Sequence, residues 1–153
     1  MRDKCILPFL ITERLEFFQL TQADLPELEI LLGDTEIMYA WEHGFTKIES
    51  QAWLNENLRR YSSDGYSYWA VRKKNDGSLI GVMGILKEVA EGKQYIGIGY
   101  ILNKKYWGQG YAGEGTEALC QYAFRKLQLQ TLTAQVRTNN FASQHIAEGL
   151  GMK

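Results

Sequence analysis

The densest run of residues able to do chemistry is Trp107-Gly108-Gln109-Gly110-Tyr111-Ala112-Gly113-Glu114-Gly115-Thr116. A glycine-rich turn that leads straight into a helix presents unpaired backbone N–H groups and the positive end of the helix dipole, and both suit a phosphate. Gly108-x-Gly110-x-x-Gly113 matches the dinucleotide fingerprint G-x-G-x-x-G literally. Its surroundings oppose that use. Asn103-Lys104-Lys105 separates the preceding strand from the first glycine, no acidic residue closes the next strand near Arg137, and too little chain follows for a doubly wound sheet. Gly110-x-x-x-x-Gly115-Thr116 has P-loop spacing without the P-loop lysine, which disfavours nucleotide hydrolysis.

Other reactive side chains are sparse. Cys5 and Cys120 are far apart in sequence and read as inert thiols in a reducing compartment. His145 falls on the last helix as a surface residue. Glu114 lies in the first turn of the helix that follows the glycines; an acid there suits the dipole but repels a phosphate if it points inward, so it is expected to face away. Trp41, Trp53, Trp69 and Trp107 fit core or cleft-wall positions.

The elements that must position the turn follow from the hydrophobic pattern. Leu10 to Leu20 reads as one strand with a polar interruption, Thr12-Glu13-Arg14. Thr21-Gln22-Ala23-Asp24 and Thr46-Lys47-Ile48-Glu49 have capping-box spacing and open two helices. The first buries Leu25, Leu28, Leu31 and Leu32; the second runs to about Tyr61 and buries Ile48, Trp53, Leu54, Leu58 and Tyr61. Strands at 66–71, 79–86 and 95–102, joined by turns at Asn75-Asp76-Gly77 and Glu91-Gly92-Lys93, form an antiparallel meander. Gly81, Gly84, Gly97 and Gly99 inside it mark bulges or close approaches. After the glycine-rich turn comes a helix to about Leu127 with Ala118, Leu119, Tyr122, Ala123 and Leu127 on one side. A strand at 132–136 and a helix opened by Asn139-Asn140 and ending near Glu148 complete the pattern.

The 153 residues fit one domain. Hydrophobic residues at 45% and charged residues at 23% exclude wholesale disorder and disulfide scaffolds. Seventeen Lys+Arg against eighteen Asp+Glu give a net charge of −1, so no chain-wide field favours nucleic acid or an anionic membrane. Apolar stretches fall well short of the ~20 residues that span a bilayer, and Met1-Arg2-Asp3-Lys4 opens no signal-type segment. The expectation is a cytoplasmic protein with no membrane, nucleic-acid or metal partner.

The order of elements together with the motifs resembles the GNAT superfamily of acetyl-CoA-dependent N-acetyltransferases, most closely the branch with the ribosomal-protein N-terminal acetyltransferases. The residues that carry the resemblance are Thr12-Glu13-Arg14-Leu15, the Gly-Tyr-x-Leu strand at Gly99–Leu102, Tyr-Trp-Gly-x-Gly-Tyr-Ala at Tyr106–Ala112, Asn140-x-x-Ser143, and Leu150-Gly151-Met152. The resemblance implies an α+β fold with a mixed, mostly antiparallel sheet flanked by helices. It also implies transfer of an acetyl group from acetyl-CoA to a primary amine, on a protein N-terminus, an amino acid or a small molecule. By that resemblance the backbone of Gly108, Gln109, Gly110, Tyr111, Ala112 and Gly113 holds the CoA pyrophosphate. Ile101 and Leu102 lie on a strand that splays from the next parallel strand and receives the pantetheine arm, with a bulge near Gly97 or Gly99 starting the divergence. Asn140 and Ser143 complete the cofactor contacts, Asn140 also being placed to cap its helix.

Acetyl transfer needs a neutral amine, a donor to the thioester carbonyl and an acid for the thiolate. The N–H of Ile101 is a candidate donor. Related enzymes often place a glutamate three residues before the strand tyrosine, and Gly97 stands there. Glu42 and His43, between the first two helices in a region that borders the acceptor pocket in this family, are the substitutes, His43 having a suitable intrinsic pKa. The family also continues with two further strands and a tyrosine acid after the segment like Leu150–Met152. The expectation is therefore a C-terminally truncated domain, or an open sheet edge covered by a second copy as a homodimer. A CoA-binding module of this fold with little turnover is the alternative reading.

Overall fold

The computed structural model describes residues 7–38, 43–90, 92–126 and 133–134. Strands β1 (Leu10–Ile11), β2 (Leu15–Phe18), β3 (Tyr68–Lys73), β4 (Leu79–Ala90), β5 (Lys93–Leu102) and β6 (Thr133–Ala134) lie side by side in that order. The first four pairings are antiparallel, and β5 pairs with β6 in parallel. Helices α1 (Leu25–Gly33) and α2 (Lys47–Ser63) cover one face, and α3 (Tyr111–Arg125) covers the other.

Alternation along the strands feeds the two faces. Phe17, Trp69, Val71, Met83, Ile85 and Leu102 pack with Tyr111, Leu119 and Ala123 of α3. Their neighbours Phe18, Tyr68, Ala70, Val82, Leu86 and Ile101 pack with Leu28, Leu31, Leu32 and Leu54 of α1 and α2. The α+β class and the mostly antiparallel sheet are as expected, as are the meander and both helix starts. Asp24 accepts from the Thr21 N–H at 2.9 Å at the turn of 3-10 helix that leads into α1. Buried Arg72 ties that turn and α1 to the sheet through Asp24 at 2.9 Å and Glu27 at 2.8 Å.

Three expectations are corrected. Leu10 to Leu20 is not one strand: the chain turns at Thr12-Glu13-Arg14, and Leu10 pairs back on Phe17 as a hairpin. The polar residues Thr12-Glu13-Arg14 are the turn itself. Ile48 is 83% exposed, because the buried stripe of α2 is Ser50, Leu54 and Asn57, and Ile48 lies about 200° around the helix from Ser50 at ~100° per residue. Asn57 is polar in this stripe because it works there: its Oδ1 accepts from the Ser67 hydroxyl and the Tyr68 N–H, and its Nδ2 donates to the Trp53 carbonyl.

The third correction concerns the strand glycines. The β4–β5 register runs without a break from Gly81 opposite Leu102 to Ala90 opposite Lys93, so no bulge interrupts it at Gly97 or Gly99. The register slips instead between Val71, opposite Gly81, and Arg72, opposite Leu79. Close approach explains the others: a Cβ at Gly81 would strike the Ile101 carbonyl, one at Gly84 the Ser67 carbonyl, and one at Gly99 would sit 2.8 Å from the Tyr68 hydroxyl.

Candidate active site

The end of β5 hands the chain to the glycine-rich turn through short local bonds. Asn103 Oδ1 accepts from the Lys105 N–H at 3.2 Å, opening a single 3-10 turn at Lys104–Tyr106. Trp107 Nε1 donates to the Leu102 carbonyl at 2.9 Å, and Gln109 Nε2 to the Lys105 carbonyl at 3.0 Å. These bonds fold the turn back on the end of β5 and engage the carbonyl of Leu102, one of the strand groups expected to receive a pantetheine amide. Ile101 and Leu102 bury their side chains, and the register turns the Ile101 N–H and carbonyl toward Val82 of β4, so of the two only the Leu102 backbone faces away from β4.

Gly108 and Gly110 adopt left-handed φ angles of 75° and 82°, which side chains resist. Gly110 is the N-cap of α3 and contributes no side chain. The first intrahelical bond is Glu114 N–H to the Gly110 carbonyl at 3.0 Å, which leaves the N–H groups of Tyr111, Ala112 and Gly113 ahead of it. A Cβ built at Gly108 or Gly113 meets nothing within 4 Å, so space stands open beside the turn. Tyr111 and Ala112 turn their side chains into the core and offer backbone alone. One turn further on, a Cβ at Gly115 would strike the Met83 thioether, so this glycine lets α3 lie close on β4. The donors, the dipole and the open space fit a phosphate or diphosphate.

Glu114 faces away from that space, as expected, and the structure supplies the partner. Its Oε2 accepts from the Thr12 hydroxyl at 2.5 Å and the Arg14 N–H at 2.9 Å, and its Oε1 from Arg14 Nε at 2.6 Å. Partial burial pushes the Glu114 carboxyl up, but the Thr12 and Arg14 bonds outweigh it and hold the group below the usual carboxylate range. Bonding to Glu114 in turn raises the Arg14 guanidinium. Arg14 Nη1 also donates to the Gln109 carbonyl at 3.1 Å, and its guanidinium lies 4.2 Å from the Tyr111 ring centroid. Thr12 and Arg14 were absent from the expected site. Their signal was the Thr12–Leu15 motif itself, which sequence alone could not connect to residues about a hundred positions away.

Of the proton-handling candidates, Glu42 lies outside the described residues. His43 is exposed, with Nε2 3.1 Å from Glu49 Oε2. The Thr46 N–H and then His43 hold the Glu49 carboxyl below its ordinary range. Gly97 pairs with Leu86 on one side and Thr133 on the other. Strand β6 is described only at Thr133–Ala134, so its course beside Ile101 and Leu102 lies outside the described residues, as do Asn140, Ser143 and His145. Cys120 is half-buried and burial pushes its thiol up, in keeping with an inert group. Among the described residues no group of three or more His, Cys, Asp or Glu is placed to hold a metal, and no helix is long and apolar enough to cross a membrane.

Comparison with known proteins agrees with this geometry. The family described as "Acetyltransferase (GNAT) domain" matches residues 14–153. The uncharacterized protein YkkB of Bacillus subtilis (strain 168) is 30% identical over 144 residues, covering 94% of this chain and 84% of YkkB. An acetyltransferase from Agrobacterium tumefaciens str. C58 superposes with a TM-score of 0.82 at 25% identity, covering 99% of this chain and 86% of that one. The ribosomal L7/L12 α-N-protein acetyltransferase RimL, solved in complex with coenzyme A, shares the fold at a TM-score of 0.74 and 21% identity, covering 95% and 82% of the two chains.

Proposed function

Because the chain belongs to the GNAT acetyltransferase family, we propose that it carries an acetyl group from acetyl-CoA to a primary amine, with the CoA diphosphate held at the start of α3. It is an acetyl-CoA-dependent N-acetyltransferase by that membership. The acceptor is an amine on a protein N-terminus, an amino acid or a small molecule. The observation that carries the cofactor placement is the left-handed Gly110, which opens a helix with three forward N–H groups and no capping side chain.

When bound, acetyl-CoA supplies an activated acyl group. The chain's own residues bind and orient. The backbone of Gly108, Gln109, Gly110, Tyr111, Ala112 and Gly113 offers donors and the helix dipole to the diphosphate. The backbone of Leu102 offers strand groups to the pantetheine arm; the Ile101 N–H, expected as donor to the thioester carbonyl, faces Val82 of β4 in the sheet register and is taken up there. Asn140 and Ser143 are proposed as further cofactor contacts on the strength of the Asn-x-x-Ser motif. Proton removal from the amine falls to His43, whose Nε2 donates to Glu49 Oε2 at 3.1 Å in the tautomer that leaves Nδ1 to take the proton.

Release of the CoA thiol over a panel of amino acids, peptides and small amines tests the activity. Thiol release with at least one amine is expected. Coenzyme A binding by calorimetry without thiol release would instead favour the binding module, and failure to bind would reject both. Substituting His43→Gln is expected to lower kcat by about 100-fold, at the low end of general-base effects, with KM for acetyl-CoA unchanged; an unchanged kcat would remove His43 from the chemistry.

A further inference from the structure

Thr12 and Arg14 sit about a hundred residues before the glycine-rich turn, yet nearly every polar contact they make across the fold ends on that turn or on the first turn of α3. We propose that they are positioning residues that set the turn for its anionic ligand. The proposal rests on the cofactor placement above and concerns how that site is held.

Two effects of the contacts are separable. The first is electrostatic. Glu114 is the fourth helical residue of α3, and its charge stands in the same turn that would receive a diphosphate. Three donors, the Thr12 hydroxyl, the Arg14 N–H and Arg14 Nε, draw the carboxylate onto the β1–β2 hairpin, and the guanidinium neutralises it. The second is geometric. In a planar trans peptide the carbonyl and the following N–H point in opposite directions. Arg14 Nη1 holds the Gln109 carbonyl toward the hairpin at 3.1 Å, so the N–H of Gly110 is turned away from it. The guanidinium also lies over the Tyr111 ring, and Nη2 would be 3.5 Å from any Cβ at position 110. One side chain therefore fixes a peptide of the turn, a ring at its exit and the acid behind it.

The test uses the whole chain with Arg14→Gln, and with Arg14→Lys should Arg14→Gln fail to fold. Amide hydrogen exchange in the ligand-free protein is expected to quicken about 10-fold at Glu114, whose N–H closes the first bond of α3 on the Gly110 carbonyl, while residues 47–50 at the start of α2 keep their rates. Coenzyme A and dephospho-coenzyme A, which share the diphosphate, are expected to lose affinity by the same factor, about 10-fold, in calorimetry. Adding Glu114→Gln to Arg14→Gln should recover about threefold of that affinity by removing the stranded charge, without slowing exchange in the turn. Unchanged exchange at Glu114, or unchanged affinity, overturns the proposal. A loss for coenzyme A that disappears with dephospho-coenzyme A overturns it as well, because Arg14 would then act by touching the 3′-phosphate. If the wild-type chain binds neither compound, the cofactor placement fails, and the exchange rates alone decide whether Arg14 orders the turn.

Discussion

At the start of α2, Thr46 Oγ1 accepts from the Glu49 N–H at 3.1 Å and Glu49 Oε1 accepts from the Thr46 N–H at 2.9 Å, so side chains close the helix end. At the start of α3, Gly110 brings no side chain, and the nearest acid, Glu114, is bound by Thr12 and Arg14 on a different element. Both ends carry a glutamate in the first turn and both face the same shortage of partners for their N–H groups. In α2 the glutamate answers that shortage locally. In α3 it is diverted, and the forward N–H groups keep their directions open toward a ligand. A closed helix start is a stability device, whereas an open one held in place by a remote clip suits the binding role proposed for it.

Substitutions can break this contrast. The largest effect is expected at Gly110→Val: forcing a side chain into the left-handed region costs about 1–2 kcal/mol and crowds the Arg14 guanidinium, 3.5 Å from the new Cβ, so the turn must shift and coenzyme A affinity should fall about 30-fold. Gly65, at a φ of 87° just past the end of α2 with open space around it, is the control. Gly65→Val should lower the melting temperature and leave coenzyme A affinity within about twofold, since the strain is similar but no ligand approaches there. Next in size, Thr46→Ala should cost about 1 kcal/mol in urea unfolding and leave coenzyme A affinity unchanged.

The smallest contrast is in acid. Both glutamates have folded pKa values below the ordinary one, so the stability they contribute is present above about pH 4.5 and is lost as pH falls through the folded values. Glu114 is the less exposed of the two, at 18% against 44% for its side chain. Melting temperatures measured from about pH 5 to 3 should therefore flatten more in Glu114→Gln than in Glu49→Gln.

The same contrast explains what could be read in advance. The cap at Thr46–Glu49 is local, with its partners three residues apart, and so is the glycine spacing of the turn; both were visible as patterns. The meander was visible for the same reason, through Asp76-Gly77 between apolar runs. The hairpin at Thr12–Arg14 was misread because two very short strands, Leu10–Ile11 and Leu15–Phe18, look like one interrupted strand when no partner is known. Ile48 is apolar but out of phase with the buried stripe of α2, and Asn57 is buried for hydrogen bonds that its polar type does not announce. The Arg14–Glu114 pair was beyond sequence reasoning. Each residue has a sufficient local explanation, a turn charge and a dipole-favoured acid, and only the tertiary fold makes them one unit.

The open start of α3 is the proposed seat of the CoA diphosphate. The most direct measurement of that seat is the amide NMR spectrum of the labelled protein titrated with coenzyme A. The largest shifts are expected at Gly110, Tyr111, Ala112 and Gly113, with Lys47, Ile48 and Glu49 at the start of α2 unmoved. Saturable binding that leaves the 110–113 amides in place while others shift would place the diphosphate elsewhere.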